Sequence, residues 1–403
     1  MSEFTNKQNN RINDIINFTQ GLINKENGGL LYKKYQKTTD SLIPKDIIIA
    51  FDIIMQQKPN LIDFKIAINK ILNIFYQSIQ NYPSIKPEEN NFIDLLTKDN
   101  LLLTNFLQEL KSEIKDFNKN KKLLESEVFL QKLKTQFESL LDFSQKHYTL
   151  KENLLFPILE SNWEHYRCIQ VMWSFHDDIK NNLKTIIQSI ETQKIDLKSF
   201  NKTIADVFFN MYAIAFREDK ILFPEITESI SKEKLQDMLE GSIEIGFGFL
   251  ENINIIKKDK QNNKTDKSRL INLGTGTLSI EQLNLIFDHL PVDITYVDEN
   301  DEVKFFSDPP HRIFSRTTAI IGRKVHNCHP PESVHIVEKI VEAFRKGEKD
   351  DASFWIPMGK KFILIKYFAV RDKNNVFKGT LEVSQEISEI QKLQGVKKLL
   401  DWE

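Results

Sequence analysis

The sequence predicts a multidomain chain: an all-α N-terminal region built around a four-helix bundle, then an α+β domain with an antiparallel sheet. Three observations predict it. Four long amphipathic segments follow one another between about residues 90 and 255. An almost purely polar stretch, KKDKQNNKTDKSRL, covers 257–270. Beyond it the apolar pattern turns from helical to alternating, with short strand-like runs around polar turns.

Taken in order, residues 1–85 read as a helical domain. IIIAFDIIM, LIDFKIAINKIL and NIFYQSI are apolar with mixed spacing, and Pro44, Pro59 and Pro83 punctuate them. Nothing in this stretch carries chemistry. Residues 90–255 hold the bundle. Its segments are NFIDLLTKDNLLLTNFLQELKSEIKDF, a long piece from about 123 to 161, VMWSFHDDIKNNLKTIIQSI, and FNKTIADVFFNMYAIAFREDKILFPEI. A polar linker is expected over 256–277, closed by the Gly274-Thr275-Gly276 turn. The α+β domain is expected over 278–390. DITYVDENDEVKFFS gives its hairpin, ESVHIVEKIVEAFRKG its helix, and ASFWIP, KFILIKYFAV and TLEVSQ its further strands. The last residues, 391–403, are amphipathic and predict a C-terminal helix suited to dimerisation or signalling.

Bulk properties narrow the function. A chain of 403 residues with 40 % apolar and 28 % charged residues can bury more than one core. The formal net charge of −2 argues against a nucleic-acid partner, which calls for a basic excess. Two cysteines, Cys168 and Cys328, fall in different predicted domains, so no disulfide framework is expected. The polar start lacks a signal-peptide core, and no apolar run reaches the ~20 residues of a membrane span. The expected address is the cytoplasm. There is no phosphate-binding glycine loop, kinase signature or nucleophile elbow, and no attached output domain is expected.

The bundle carries a repeat. HYTLKENLLFPILE (147–160) and IAFREDKILFPEI (214–226) each place charged residues before an apolar triplet ending in Phe-Pro. Such a pair suggests pseudo-symmetric helices, as in bundles that hold metals with inward carboxylates and histidines. His147, Glu152, His176, Glu218 and Asp219 lie near the apolar faces.

These motifs, with MWSFHDDI, resemble the hemerythrin HHE cation-binding family over roughly residues 90–250. The resemblance implies a metal site, with iron as the expected ion. By position its ligands are His147, Glu152, His176 and one of Glu218 or Asp219. The match is incomplete. Aligning the two Phe-Pro motifs sets Ile214 where His147 stands and Lys151 opposite Glu218. In a regular helix Glu152 lies ~140° around the axis from His147. Lys180 stands where a second histidine would follow His176. The set falls short of a di-iron oxygen carrier.

The C-terminal domain resembles a PAS domain, on LPVDITYVDENDEVKFFS at its opening and TLEVSQEISEI at its close. The resemblance implies a small-ligand cavity between sheet and helices. His326, Cys328 and His329 form the densest cluster of ligand-type side chains and are the candidates for holding haem or another cofactor there. The alternative is that Pro330 and Pro331 open a helix around which they pack. The whole order is similar to bacterial DUF438-type proteins. It implies a cytoplasmic sensory protein that binds metal and a small ligand, acts through a separate signalling partner, and dimerises through the PAS-type domain or the last helix. Two other functions compete: iron or nitric-oxide handling, including iron–sulfur repair, and a structural adaptor with degenerate sites. Enzymatic activity is not the favoured reading.

Overall fold

A computed structural model describes residues 2–120, 126–251, 253, 270–309, 312–314, 316–359 and 361–396. Two compact units result, Met1–Lys257 and Lys258–Glu403.

The first unit is helical. Helices α1 (Ser2–Ile23), α2 (Gly28–Asp40), α3 (Pro44–Gln56) and α4 (Leu61–Asn81) come first. Pro44 sits in the first turn of α3, where its missing N–H costs nothing. Phe18, Ile47, Ala67, Ile71 and Phe75 form the core of this group.

The bundle follows, with α5 (Phe92–Lys119), α6 (Glu127–Leu150), α7 (Phe156–Asn162), α8 (Cys168–Glu191), α9 (Leu197–Arg217), α10 (Phe223–Ser229) and α11 (Lys232–Ile245). Asn91, Ser126 and Asp196 cap α5, α6 and α9, each accepting an otherwise unpaired first-turn N–H. On α6 the buried residues Leu130, Leu133, Phe137, Leu140, Ser144 and His147 recur at helical spacing. The stripe that drives packing therefore carries His147 into the core. The same logic buries His176 on α8, with Ile179 and Leu183, and Asp99 and Asn100 on α5, between Leu96 and Leu103. Helices α3 and α4 join the bundle within this unit. Tyr76 stacks on Phe216 at 4.8 Å, and Lys65 pairs with Asp178 at 2.5 Å.

The second unit is α+β, as the sequence predicts. Strands β1 (Leu270–Asn272) and β2 (Thr277–Ser279) pair as a small hairpin. The expected linker reaches 277, so its end is corrected: the chain is already paired from Leu270. Residues 254–269 lie outside the described residues. Helix α12 (Ile280–His289) starts with a reciprocal Ser279–Gln282 cap. Strands β3 (Asp293–Asp298), β4 (Val303–Phe306), β5 (Asp351–Met358), β6 (Lys361–Arg371) and β7 (Phe377–Glu386) form one antiparallel sheet in the order β4-β3-β7-β6-β5. Helix α13 (Pro331–Lys346) packs against β7 and ends on Gly347 at φ 76°. The expected C-terminal helix falls mostly on residues 397–403, outside those described. The part before it holds only a 3₁₀ turn at Ile390–Lys392. No described helix is long and apolar enough to cross a membrane.

Candidate metal centre

The two Phe-Pro motifs shape the bundle core. A proline inside a helix lacks an N–H, and its ring collides with the carbonyl four residues back. Here the ladder widens by one residue. Lys151–Leu155 and Glu218–Leu222 are π turns, in which Phe156 N–H donates to the Lys151 carbonyl and Phe223 N–H to that of Glu218. Each turn carries its first charged residue inward. Lys151 and Glu218 are fully buried, and Glu152 is 7 % exposed.

Lys151 Nζ donates to Glu218 Oε1. Asn100 Nδ2 donates to Glu218 Oε2 at 3.0 Å and to Asp219 Oδ1 at 2.9 Å. His147 lies between two carboxylates, with Nδ1 2.7 Å from Asp99 Oδ2 and Nε2 3.5 Å from Glu218 Oε2. Asp99 is itself fixed by the backbone N–H groups of Gly248, Phe249 and Leu250, at 2.9, 2.7 and 3.1 Å. The ammonium of Lys151 also sits 4.5 Å over the Tyr148 ring.

His176 forms the second half. Its Nδ1 is 2.8 Å from Glu152 Oε1, and its ring lies parallel to Tyr148 at 4.0 Å and to Phe156 at 6.1 Å. Its Nε2 is buried with no hydrogen-bond partner among the described residues.

Burial dominates the ionisation. It pushes Glu152 up to about 7, against the opposing charge of Lys180. It raises Asp219 to about 6, against the Asn100 hydrogen bond. It would raise Glu218 too, but Lys151 and His147 override it and hold that carboxyl at about 2. Burial, then the cations Lys151 and Lys180, lowers His176 well below the usual imidazole value, so its ring is neutral. Lys151 is itself drawn down by burial while Glu218 pulls it back.

Glu152 and Asp219 keep their protons longer folded than unfolded, so their contribution is full below the unfolded values and is lost as pH rises through about 7 for Glu152 and about 6 for Asp219. Glu152→Gln is therefore expected to flatten the fall in stability between about pH 5 and about 7. Urea midpoints from far-UV circular dichroism across that window check this. Identical slopes in the two proteins would contradict it.

The expected ligands are thus gathered in one core but not onto one point. Among the described residues, no group of three or more His, Cys, Asp or Glu side chains is placed to hold a metal ion. The donors are engaged with Lys151, Asn100 and each other, so as arranged they do not fit a metal pair. The regular-helix reading of Glu152 also needs correction, because the π turn starts at Lys151 and directs Glu152 to His176 on α8. Asp99, Asn100 and Lys151 complete the centre. The sequence signal for the first two was the polar interruption Thr97-Lys98-Asp99-Asn100 between the apolar stretches of α5, of which the last two fall on its buried stripe.

In the second unit, His326, Cys328 and His329 diverge. His326 lines an open groove along α13 with His335. Cys328 packs against the Val297, Val303 and Ile320 cluster, with Sγ 3.7 Å from the Lys324 carbonyl. His329 is partly buried, lowered by that burial, and lies near Glu382 and Arg316. The inward sheet face carries the denser polar set. Arg316 Nη2 bonds Glu382 at 3.2 and 3.4 Å. Arg316 Nε, Thr380 Oγ1, Ser384 Oγ and Asp293 Oδ1 are buried with no hydrogen-bond partner among the described residues.

Residues 91–226 match the hemerythrin HHE cation binding domain, and residues 283–388 match a PAS domain. The first match implies a cation site in the bundle. A C-terminal domain of a protein from Streptococcus mutans is 37 % identical, with 32 % of this chain and 100 % of that one covered and a TM-score of 0.30. The PAS domain of a Colwellia psychrerythraea protein is 17 % identical, covering 27 % and 97 %, with a TM-score of 0.22. A sensory box sensor histidine kinase from Vibrio cholerae is 10 % identical, covering 26 % and 87 %, with a TM-score of 0.21. No curated protein matches.

Proposed function

We propose that this chain, which carries a hemerythrin HHE cation-binding domain and a C-terminal PAS domain, is a sensory protein whose PAS domain holds a small polar ligand. One observation carries the reading. Thr380, Ser384 and Asp293 share the inward face of β7 and β3, and each has a buried polar atom left unpaired among the described residues. Each such atom costs ~1–3 kcal/mol without a partner. A ligand offering both donors and acceptors removes that cost, and the Arg316–Glu382 pair beside it adds a charged anchor.

Ligand state then biases the packing of the elements around the sheet, and a separate signalling protein reads the bias. The arrangement suits a cytoplasmic DUF438-type protein, with self-association through the PAS domain. Haem is not part of this reading, because His326, Cys328 and His329 do not converge. Iron in the bundle is not part of it either, because Lys151 occupies the acidic core.

Native mass spectrometry of the full chain tests the proposal. A small molecule is expected to copurify, with affinity reduced at least about tenfold in Thr380→Val/Ser384→Ala, the loss of two hydrogen bonds to the ligand at ~0.7 kcal/mol or more each. A ligand-free protein whose double variant is more stable than the parent would overturn it.

A further inference from the structure

We infer that the cation of this cation-binding bundle is the Lys151 ammonium itself, seated where a metal would otherwise be held.

The scaffold around it keeps the habits of a metal site. Histidines that bind metals are usually oriented by a carboxylate or carbonyl on their other ring nitrogen. Both histidines here have that arrangement. Asp99 holds His147 through Nδ1, and Glu152 holds His176 through Nδ1. The Nε2 atoms are left for the core. One lies beside Glu218, and the other has no hydrogen-bond partner among the described residues.

The repeat then says what changed. The Phe-Pro motifs lie 67 residues apart, and Lys151 and Glu218 open equivalent π turns at that same separation. Where two facing carboxylates would bridge a pair of ions, one position carries a carboxylate and the other an ammonium. The two side chains are fully buried and bonded to each other. Neutralisation of the acidic core is therefore written into the chain. A divalent ion would have to enter beside a buried positive charge and compete for a carboxylate already bound. Ile214, at the position equivalent to His147, removes a further donor.

Metal analysis and thermal melts of the full chain from iron-supplemented cells test this. The wild type is expected to carry below about 0.1 equivalent of any transition metal, with a Tm unmoved by chelator. Lys151→Glu restores a facing carboxylate pair. It is expected to take up at least about tenfold more iron(II) or manganese(II), with a Tm that rises on metal addition. Lys151→Ala gives an independent arm should that variant fold poorly. Ethylammonium is expected to raise its Tm but not that of the wild type. The inference fails if the wild type carries stoichiometric metal or loses stability to chelator. It also fails if a folded Lys151→Glu binds no more metal than the wild type, or if ethylammonium leaves Lys151→Ala unchanged.

Discussion

Lys151→Met is expected to destabilise the helical unit by ~3–5 kcal/mol, the range for breaking a buried ion pair by removing one partner. Methionine keeps much of the length of the lysine side chain, so little packing is lost. What is lost is the only positive charge bonded to Glu218 Oε1 among the described residues. Glu218 would remain fully buried, with Asn100 and His147 as its remaining contacts. A domain of this kind is stable by about 5–15 kcal/mol, so the loss is a large fraction of the total. Removing both charges should be milder. Lys151→Met/Glu218→Leu is expected to recover all but about 2 kcal/mol, because an apolar pair of similar volume needs no compensation. Urea unfolding followed at 222 nm gives both values, and the four proteins close a double-mutant cycle. A single-variant loss under about 1 kcal/mol would show that the ion pair is not what neutralises this core.

The fold was legible because its signals are periodic and local. Apolar stripes at helical spacing marked α5, α6, α8 and α9, the polar run ahead of Leu270 marked a boundary, and alternation marked β3 and β7. The ligand-type residues on those stripes were legible for the same reason. His147 and His176 had to be buried because Leu140 and Ile179 are. What stayed hidden was the contact map between stripes. A 3.6-residue period sends Glu152 away from His147, and nothing in that period announces a π turn. Pro157 and Pro224 were the available signals, since each must break the ladder behind it. The facing of Lys151 and Glu218 was visible once the Phe-Pro motifs were aligned, but alignment could not say that the two charges bond. The backbone donors of Gly248, Phe249 and Leu250 to Asp99 join groups about 150 residues apart in the chain, and such a cradle leaves no local trace.

That cradle makes the second large prediction. Gly248 has its backbone N–H 2.9 Å from Asp99 Oδ2, close against the Phe143 ring. A Cβ added there would lie 2.2 Å from Phe143 Cδ2 and 2.6 Å from Cε2. Phe143 cannot swing aside, because it is fully buried, with its ring 4.8 Å from both His147 and Phe249. Something must therefore move: the ring, and with it the imidazole stacked on it, or the segment that holds Asp99. Either way, overpacking of ~1–3 kcal/mol adds to the weakening of a buried carboxylate's hydrogen bonds, another ~1–3 kcal/mol. Gly248→Ala is expected to lower stability by ~3 kcal/mol in total. Gly248→Ala/Phe143→Ala separates the two terms. It removes the ring atoms that the new Cβ meets but not the added Cβ beside Asp99, so it should fare better than Gly248→Ala alone after correction for Phe143→Ala itself. If the double variant shows no such coupling, the glycine is required by the Asp99 cradle rather than by the ring. The stability of the charged core would then depend on the backbone reaching Asp99, and not on the packing around His147.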